Sequence, residues 1–235
     1  MFWNRKQITE PKQQTPQQMA EALKQWHERL SNDMAQRKGQ DGAHDAGHYR
    51  RVWHHCRELA MDHPQRDQIN PVVLMAAAFL HDLVQIPKQD PRSKESAARS
   101  AQKASTYLRK LGFPKGQLPA VEHAIRAHSF SGGEQPRSLE AQILSDADKL
   151  DALGMVGLAR TFHVSGQMGA GLFHPTDPFA RHRQPDDKRY ALDHFKTKLM
   201  RLPEAMLTPP GKRLAHKRVA VLSRYLRDLT KELDL

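Results

Sequence analysis

The sequence predicts an all-α fold, and three observations carry that reading. Apolar residues recur at three- and four-residue spacing in block after block. Helix-starting and helix-stopping residues bracket those blocks, and no stretch alternates apolar with polar side chains as a half-buried strand would. No internal repeat is visible. The expected layout is a tail and amphipathic helix over residues 1–41, then a helical domain over 42–235.

The first dozen residues, with Pro11 and several glutamines, read as a loose tail. A helix starts at Thr15-Pro16-Gln17-Gln18: Thr15 can cap, Pro16 suits the first helical position, and Gln18 completes a capping box. Met19, Leu23, Trp26, Leu30 and Met34 follow at helical spacing, and Gly39 stops the pattern. Gly42 to Gly47 reads as a loop. The next helix runs to about Met61, with His48, Val52, Cys56 and Leu59 on one face, so His48 points inward. Asn70-Pro71 caps a third helix whose run from Val72 to Leu80 is nearly all apolar, which marks it as a core helix ending at His81-Asp82. Pro87 and Pro91 punctuate a loop before a helix from Ser93 to Leu111, stopped by Gly112. Further helices are expected over Pro119–His128 and from Leu139 to about Ala159. Scattered Gly, Pro and His make Ser165 to Pro185 a long loop that could close over a substrate. Asp187–Leu202 and Lys212–Leu235 are the last expected helices, the second strongly basic.

Composition narrows the function classes. Hydrophobic residues make up 38% of the 235, enough for a core, and no run approaches the ~18 apolar residues of a membrane span. The single cysteine, Cys56, excludes an internal disulfide framework and makes a reducing cytoplasm the default compartment. Lys plus Arg at 37 against Asp plus Glu at 26 leaves a formal net charge of +11, which suits an anionic partner. Fourteen histidines are the more informative count, because imidazole is the commonest metal ligand and a proton carrier near neutral pH.

One constellation stands out. His48 lies on one helix, His81-Asp82 ends the apolar helix, and Asp148 sits in Ser145-Asp146-Ala147-Asp148-Lys149-Leu150-Asp151. Adjacent ionisable groups closing a run as apolar as Met75-Ala76-Ala77-Ala78-Phe79-Leu80 are costly to bury unless paired or bound to a cation. Two imidazoles and two carboxylates satisfy a divalent transition metal and leave positions for water or substrate.

This order resembles the HD-domain superfamily of metal-dependent phosphohydrolases. Longer matches support it: Gly47-His48-Tyr49-Arg50-Arg51-Val52-Trp53, Ala78-Phe79-Leu80-His81-Asp82-Leu83-Val84, and Asp146-Ala147-Asp148-Lys149-Leu150-Asp151-Ala152-Leu153-Gly154. So do His123-Ala124-Ile125-Arg126-Ala127-His128-Ser129-Phe130-Ser131 and Asp186-Asp187-Lys188-Arg189-Tyr190-Ala191-Leu192-Asp193-His194-Phe195. Together they are similar to a bacterial subfamily of stand-alone HD hydrolases that includes enzymes cleaving nucleoside triphosphates. The resemblance implies His48, His81, Asp82 and Asp148 as ligands of one divalent ion: manganese, cobalt, nickel or iron, with magnesium or zinc as alternatives. Asp146 and Asp151 compete with Asp148 by residue type; the family's Ala-Asp-Lys pattern selects Asp148. Asp151, three residues on, shares its helix face and suits a supporting role, while Asp146 is expected to be solvated or capping.

The implied reaction is water attack on phosphorus. Asp82 is the expected residue to orient that water. Gln85 stands where several HD phosphohydrolases carry a glutamate; it can position water but cannot take its proton. Arg51, Lys88, Lys149 and His128 are the expected contacts to substrate phosphate, Arg51 first because it follows His48 by almost one turn. His54 and His55 include one solvent-facing residue, and Cys56 is a core residue. The expected activity releases pyrophosphate and a monophosphate from a nucleoside triphosphate. Alternatives are a nucleotide monoester phosphatase, or a non-catalytic module binding nucleotide or nucleic acid through Lys212-Arg213 and Lys217-Arg218.

Overall fold

A computed structural model of the chain describes residues 15–36, 46–86, 90–129 and 132–234. The tail, Gly39, most of the loop before His48, and Lys88 lie outside the described residues. The architecture is all-α: α1 Pro16–Ala35, α2 Ala46–Met61, α3 Pro71–Leu80, α4 Ser96–Lys110, α5 Leu118–His128, α6 Leu139–Asp151, α7 Gly154–Gln167, α8 Asp193–Thr197 and α9 Pro209–Glu232. A single bridge between Gly171 and Tyr190 is the extent of strand-type pairing among the described residues. No helix among them is long and apolar enough to cross a membrane.

The bundle is organised around α3. Every residue from Val72 to Leu80 is buried, so this helix offers apolar surface all round and packs against α1, α2, α5 and α6. Its start is fixed by Asn70, whose Oδ1 accepts from the amides of Val72 and Val73, both at 3.1 Å. The Asn70 amide in turn donates to Glu140 Oε1 at 2.8 Å, which ties the head of α3 to α6. On α1 the Thr15–Gln18 capping box forms as expected, and Leu30 and Met34 supply its buried face. Helix α4 ends in a Schellman arrangement: Gly112 takes φ +81°, and the Phe113 amide reaches back to Leu108 O at 3.0 Å.

Two boundaries differ from the sequence expectation for physical reasons. The helix expected from Leu139 to Ala159 is broken, because Leu153 is extended and Gly154 takes φ +70°, a region glycine occupies without a Cβ penalty. The chain then folds back as α7, which continues to Gln167 rather than yielding to a loop at Ser165. Of the helix expected over Asp187–Leu202 only Asp193–Thr197 is α-helical: residues 187–192 form turns and the Tyr190 bridge, Lys198 takes φ −134°, ψ −61°, and a 3₁₀ turn containing Pro203 follows. Before it, the long loop is pinned by the buried Asp193 carboxylate, which accepts from Arg183 Nη1 at 2.6 Å and Nη2 at 2.7 Å.

On α2, His54 is exposed and His55 buried. Arg218 of α9 lies over His55, its Nη1 3.1 Å from Nε2, and the same nitrogen donates to Leu150 O at 2.6 Å. Burial and the Arg218 charge push the His55 pKa down to about 3, so the folded protein holds this ring neutral. A folded pKa below the unfolded value of about 6.5 means full stability above that pH and loss below it. The slope is about 1.4 kcal/mol per pH unit for this one group. Between pH 6.5 and 5 the wild type is expected to lose about 2 kcal/mol that His55→Gln keeps, read as the difference between their urea unfolding free energies.

Candidate metal centre

Four helices bring their ends to one point. His48, in the first turn of α2, is buried beside Tyr49 and Val52. His81 caps α3, and Asp82 follows where the chain turns away from the apolar run. Asp148 comes from α6, and His128 from the last turn of α5. The atoms nearest the centre are His48 Nε2, His81 Nε2, Asp82 Oδ2 and Asp148 Oδ1. His48 Nε2 lies 3.2 Å from His81 Nε2, 3.9 Å from Asp82 and 3.7 Å from Asp148; His81 Nε2 lies 3.7 Å and 3.8 Å from the same carboxylates.

Hydrogen bonding on the far side of each ring decides what these nitrogens offer. His81 Nδ1 is 2.9 Å from Ala78 O, a group that only accepts, so Nδ1 carries the proton and Nε2 is bare in the neutral ring. His48 Nδ1 stands 2.9 Å from Asp151 Oδ2 and is a donor for the same reason. His128 Nδ1 donates to Ile125 O at 2.6 Å, leaving its Nε2 bare 3.8 Å from Asp82 Oδ1. Two lone pairs 3.2 Å apart in a buried site repel unless a proton or a cation lies between them. Ligands bonded at about 2.1 Å around one ion sit roughly 3.0 to 3.4 Å from each other, so this donor set fits a divalent ion after shifts of a few tenths of an ångström. His48, His81 and Asp148 could hold such an ion, and so could His81, Asp82 and His128.

Electrostatics without a cation shows the same demand for positive charge. Burial opposes charging His81, but Asp82, Asp148 and the Ala78 carbonyl outweigh it and raise its pKa to about 9. Burial and the His81 charge lower the pKa values of His48 and His128. Burial also opposes the Asp148 carboxylate, yet His81 holds its pKa well below the usual range. One proton on His81 therefore stands where a metal would. The cluster is closed on the imidazole side and open on the acid side, with His81 at 0% and Asp148 at 35% side-chain exposure.

Around this centre, Asp151 is buried at the end of α6 and takes three partners. Arg51 Nε donates at 2.6 Å to Oδ1 and Nη2 at 3.1 Å to Oδ2, while Arg160 Nη1 binds Oδ2 alongside His48. Tyr49 Oη donates to the Asp82 carbonyl at 3.1 Å. Lys149 Nζ donates to Ser145 O at 3.1 Å and Oγ at 2.5 Å, while Ser145 Oγ donates to His128 O. Gln85 is exposed beyond the His81-Asp82 turn. Asp146 departs from expectation: it is buried, and accepts from the Leu207 and Thr208 amides and from Thr208 Oγ1 at 2.7 to 2.9 Å, holding the start of α9. Its neighbours lie 61 positions away or more, so nothing local in the sequence signals them. Arg160 was likewise absent from the sequence reading; it sits beyond the α6–α7 break, and only the fold returns it to Asp151.

A buried His/Asp cluster at the meeting point of helix ends defines a helical protein equipped to hold a divalent ion beside open carboxylates. Residues 45–153 match the family model of the HD domain. The chain is 28% identical over 221 residues to the uncharacterized protein YpgQ of Bacillus subtilis, covering 91% of this chain and 93% of that one. The crystal structure of B. subtilis YpgQ in complex with ADP is similar at 26% identity and a TM-score of 0.64, over 91% of this chain and 96% of that one. An HD-superfamily hydrolase from Bacillus thuringiensis shares 25% identity and a TM-score of 0.66, over 92% and 98% of the two chains. The matched segment carries His48, His81, Asp82 and Asp148, and at 25% identity the chain is similar in fold and sequence to an HD-superfamily hydrolase.

Proposed function

We propose that the protein hydrolyses nucleoside triphosphates to monophosphate and pyrophosphate, using one divalent ion held by His48, His81, Asp82 and Asp148. The observation that carries this reading is the pair of buried Nε2 atoms, 3.2 Å apart, facing two part-open carboxylates. A nucleotide substrate is supported by the ADP bound to the B. subtilis relative. Mixed nitrogen and oxygen donors suit manganese, cobalt, nickel or iron. When bound, such an ion lowers the pKa of a coordinated water and polarises a phosphoryl oxygen.

The chain's own residues supply the remaining functions. Asp82 presents one carboxylate oxygen toward the imidazoles of His48 and His81 and the other toward His128 Nε2, so it can orient a water and pass its proton along that edge. Asp151 fixes the His48 tautomer, and the Tyr49 hydroxyl fixes the backbone of Asp82. Arg51 and Arg160, 33% and 22% exposed, place two guanidinium groups beside the centre, where phosphate charge would collect. Gln85, exposed and unable to take a proton, is left with positioning water, and Lys149 is held along its own helix.

The test is product analysis with a nucleotide panel and added manganese or cobalt. Pyrophosphate plus nucleoside monophosphate is the expected outcome. Orthophosphate plus nucleoside would replace this reading by monoester hydrolysis, and no turnover of any nucleotide would end it.

A further inference from the structure

Helix α9 carries an unusual surface. Its core face is made by Gly211, Ala215, Leu222, Leu226 and Leu229, all buried or half-buried. At about 100° per residue, Arg213, Lys217, Arg224, Arg227 and Lys231 fall within a stripe roughly 80° wide on the opposite side. All five are exposed. From Arg213 to Lys231 the stripe runs about 27 Å at 1.5 Å per residue. The doublets expected from the sequence to form a basic surface divide here: Arg218 turns inward to Leu150 O and His55, and Lys212 pairs with Glu204 at 3.1 Å.

Surface helices ordinarily stagger opposite charges three or four residues apart, since such pairs stabilise and like pairs destabilise. Along this stripe Arg213–Lys217 and Arg227–Lys231 are like pairs four apart, and Arg224–Arg227 a like pair three apart. Among the described residues Lys217, Arg224 and Arg227 have no acidic side chain within ion-pair distance. Arg213 reaches Asp62 only at 3.9 Å, with both side chains 60% or more exposed, and Lys231 meets Asp228 at 3.4 Å. Such like pairs are mildly destabilising on a helix surface, and a bound anion would relieve them.

We infer that the outer face of α9 binds the phosphate backbone of double-stranded nucleic acid. A straight row of cations matches a linear polyanion, and three of the five are arginines, whose forked donors fit phosphate oxygens. No aromatic residue lies in the stripe, so it cannot stack bases and tracks a backbone instead. Its apolar face is spent on the core, leaving nothing to insert into a bilayer.

The experiment measures anisotropy of a fluorescent 20-base-pair duplex with full-length protein across salt concentrations. Five contacts give a slope of log K against log salt of about −4.5, or about 500-fold weaker binding at 200 mM than at 50 mM. In Arg224→Ala/Arg227→Ala the slope is expected to fall to about −2.7, reducing that loss to about 40-fold. Lys103→Ala/Lys110→Ala on α4 removes the same charge elsewhere and is expected to leave the slope unchanged. Melting curves of all three proteins establish that each is folded. Absence of binding at 50 mM salt overturns the proposal, as does an equal slope change in both double variants. Equal stripe-dependent binding to phosphatidylserine vesicles would overturn it in favour of a membrane surface.

Discussion

His48→Ala is expected to abolish turnover, by at least about a thousand-fold, and to bring bound metal to well below one ion per chain. His48 supplies one of two imidazole nitrogens 3.2 Å apart at the buried side of the centre, and without it the set of His48, His81 and Asp148 is lost, leaving His81, Asp82 and His128. Its loss also removes one of the three partners of Asp151, which keeps Arg51 and Arg160 and therefore stays in place. The helices are expected to persist, so circular dichroism should match the wild type while metal analysis does not. Asp151→Asn gives the graded counterpart. Weakening the group that orients His48 should lower metal affinity about 10- to 100-fold, with activity recovered at high metal concentration. A His48→Ala protein that retains both its metal and its rate would remove this residue from the site.

Gly157→Ala is expected to destabilise the protein by about 3 kcal/mol, a fall in melting temperature of roughly 6 to 12 °C for a chain of this size. A Cβ at Gly157 would stand 2.2 Å from Ala152 O and 2.3 Å from its carbonyl carbon. Both are backbone atoms of the α6–α7 break, so no side chain can swing aside. The break must open, and Arg160, one turn further along α7, would leave the Asp151 carboxylate with it. Gly166→Ala, on the same helix with nothing within 4 Å of the new Cβ, is the matched control. It should leave stability unchanged or raise it by up to about 1 kcal/mol. Equal melting temperatures for the two variants would show that the close approach at Gly157 carries no weight.

These two positions mark the boundary between what is local and what is not. The capping box at Thr15–Gln18, the Asn70 cap and the uninterrupted apolar run of α3 are readable because each depends only on residues that follow one another along a short stretch of chain. Asp151 is readable as a neighbour of Asp148 because three residues on a helix share a face. The break at Leu153–Gly154 is not, since a glycine inside an apolar period is often tolerated within a helix, and only the packing of α7 selects the φ +70° alternative.

By itself the amino-acid order determined the helical class, the buried character of α3, and which imidazoles and carboxylates are available for a metal. Tertiary structure alone decided that Arg160 and Arg51 close on Asp151, that Asp146 is a buried anchor for α9, and that both bare Nε2 atoms meet. Periodicity records which face of a helix avoids water, but it carries no information about which distant helix end will lie against that face. Partners 33 to 100 positions apart, and Arg160 9 positions from Asp151 across a helix break, are brought together by how the helices pack around one core.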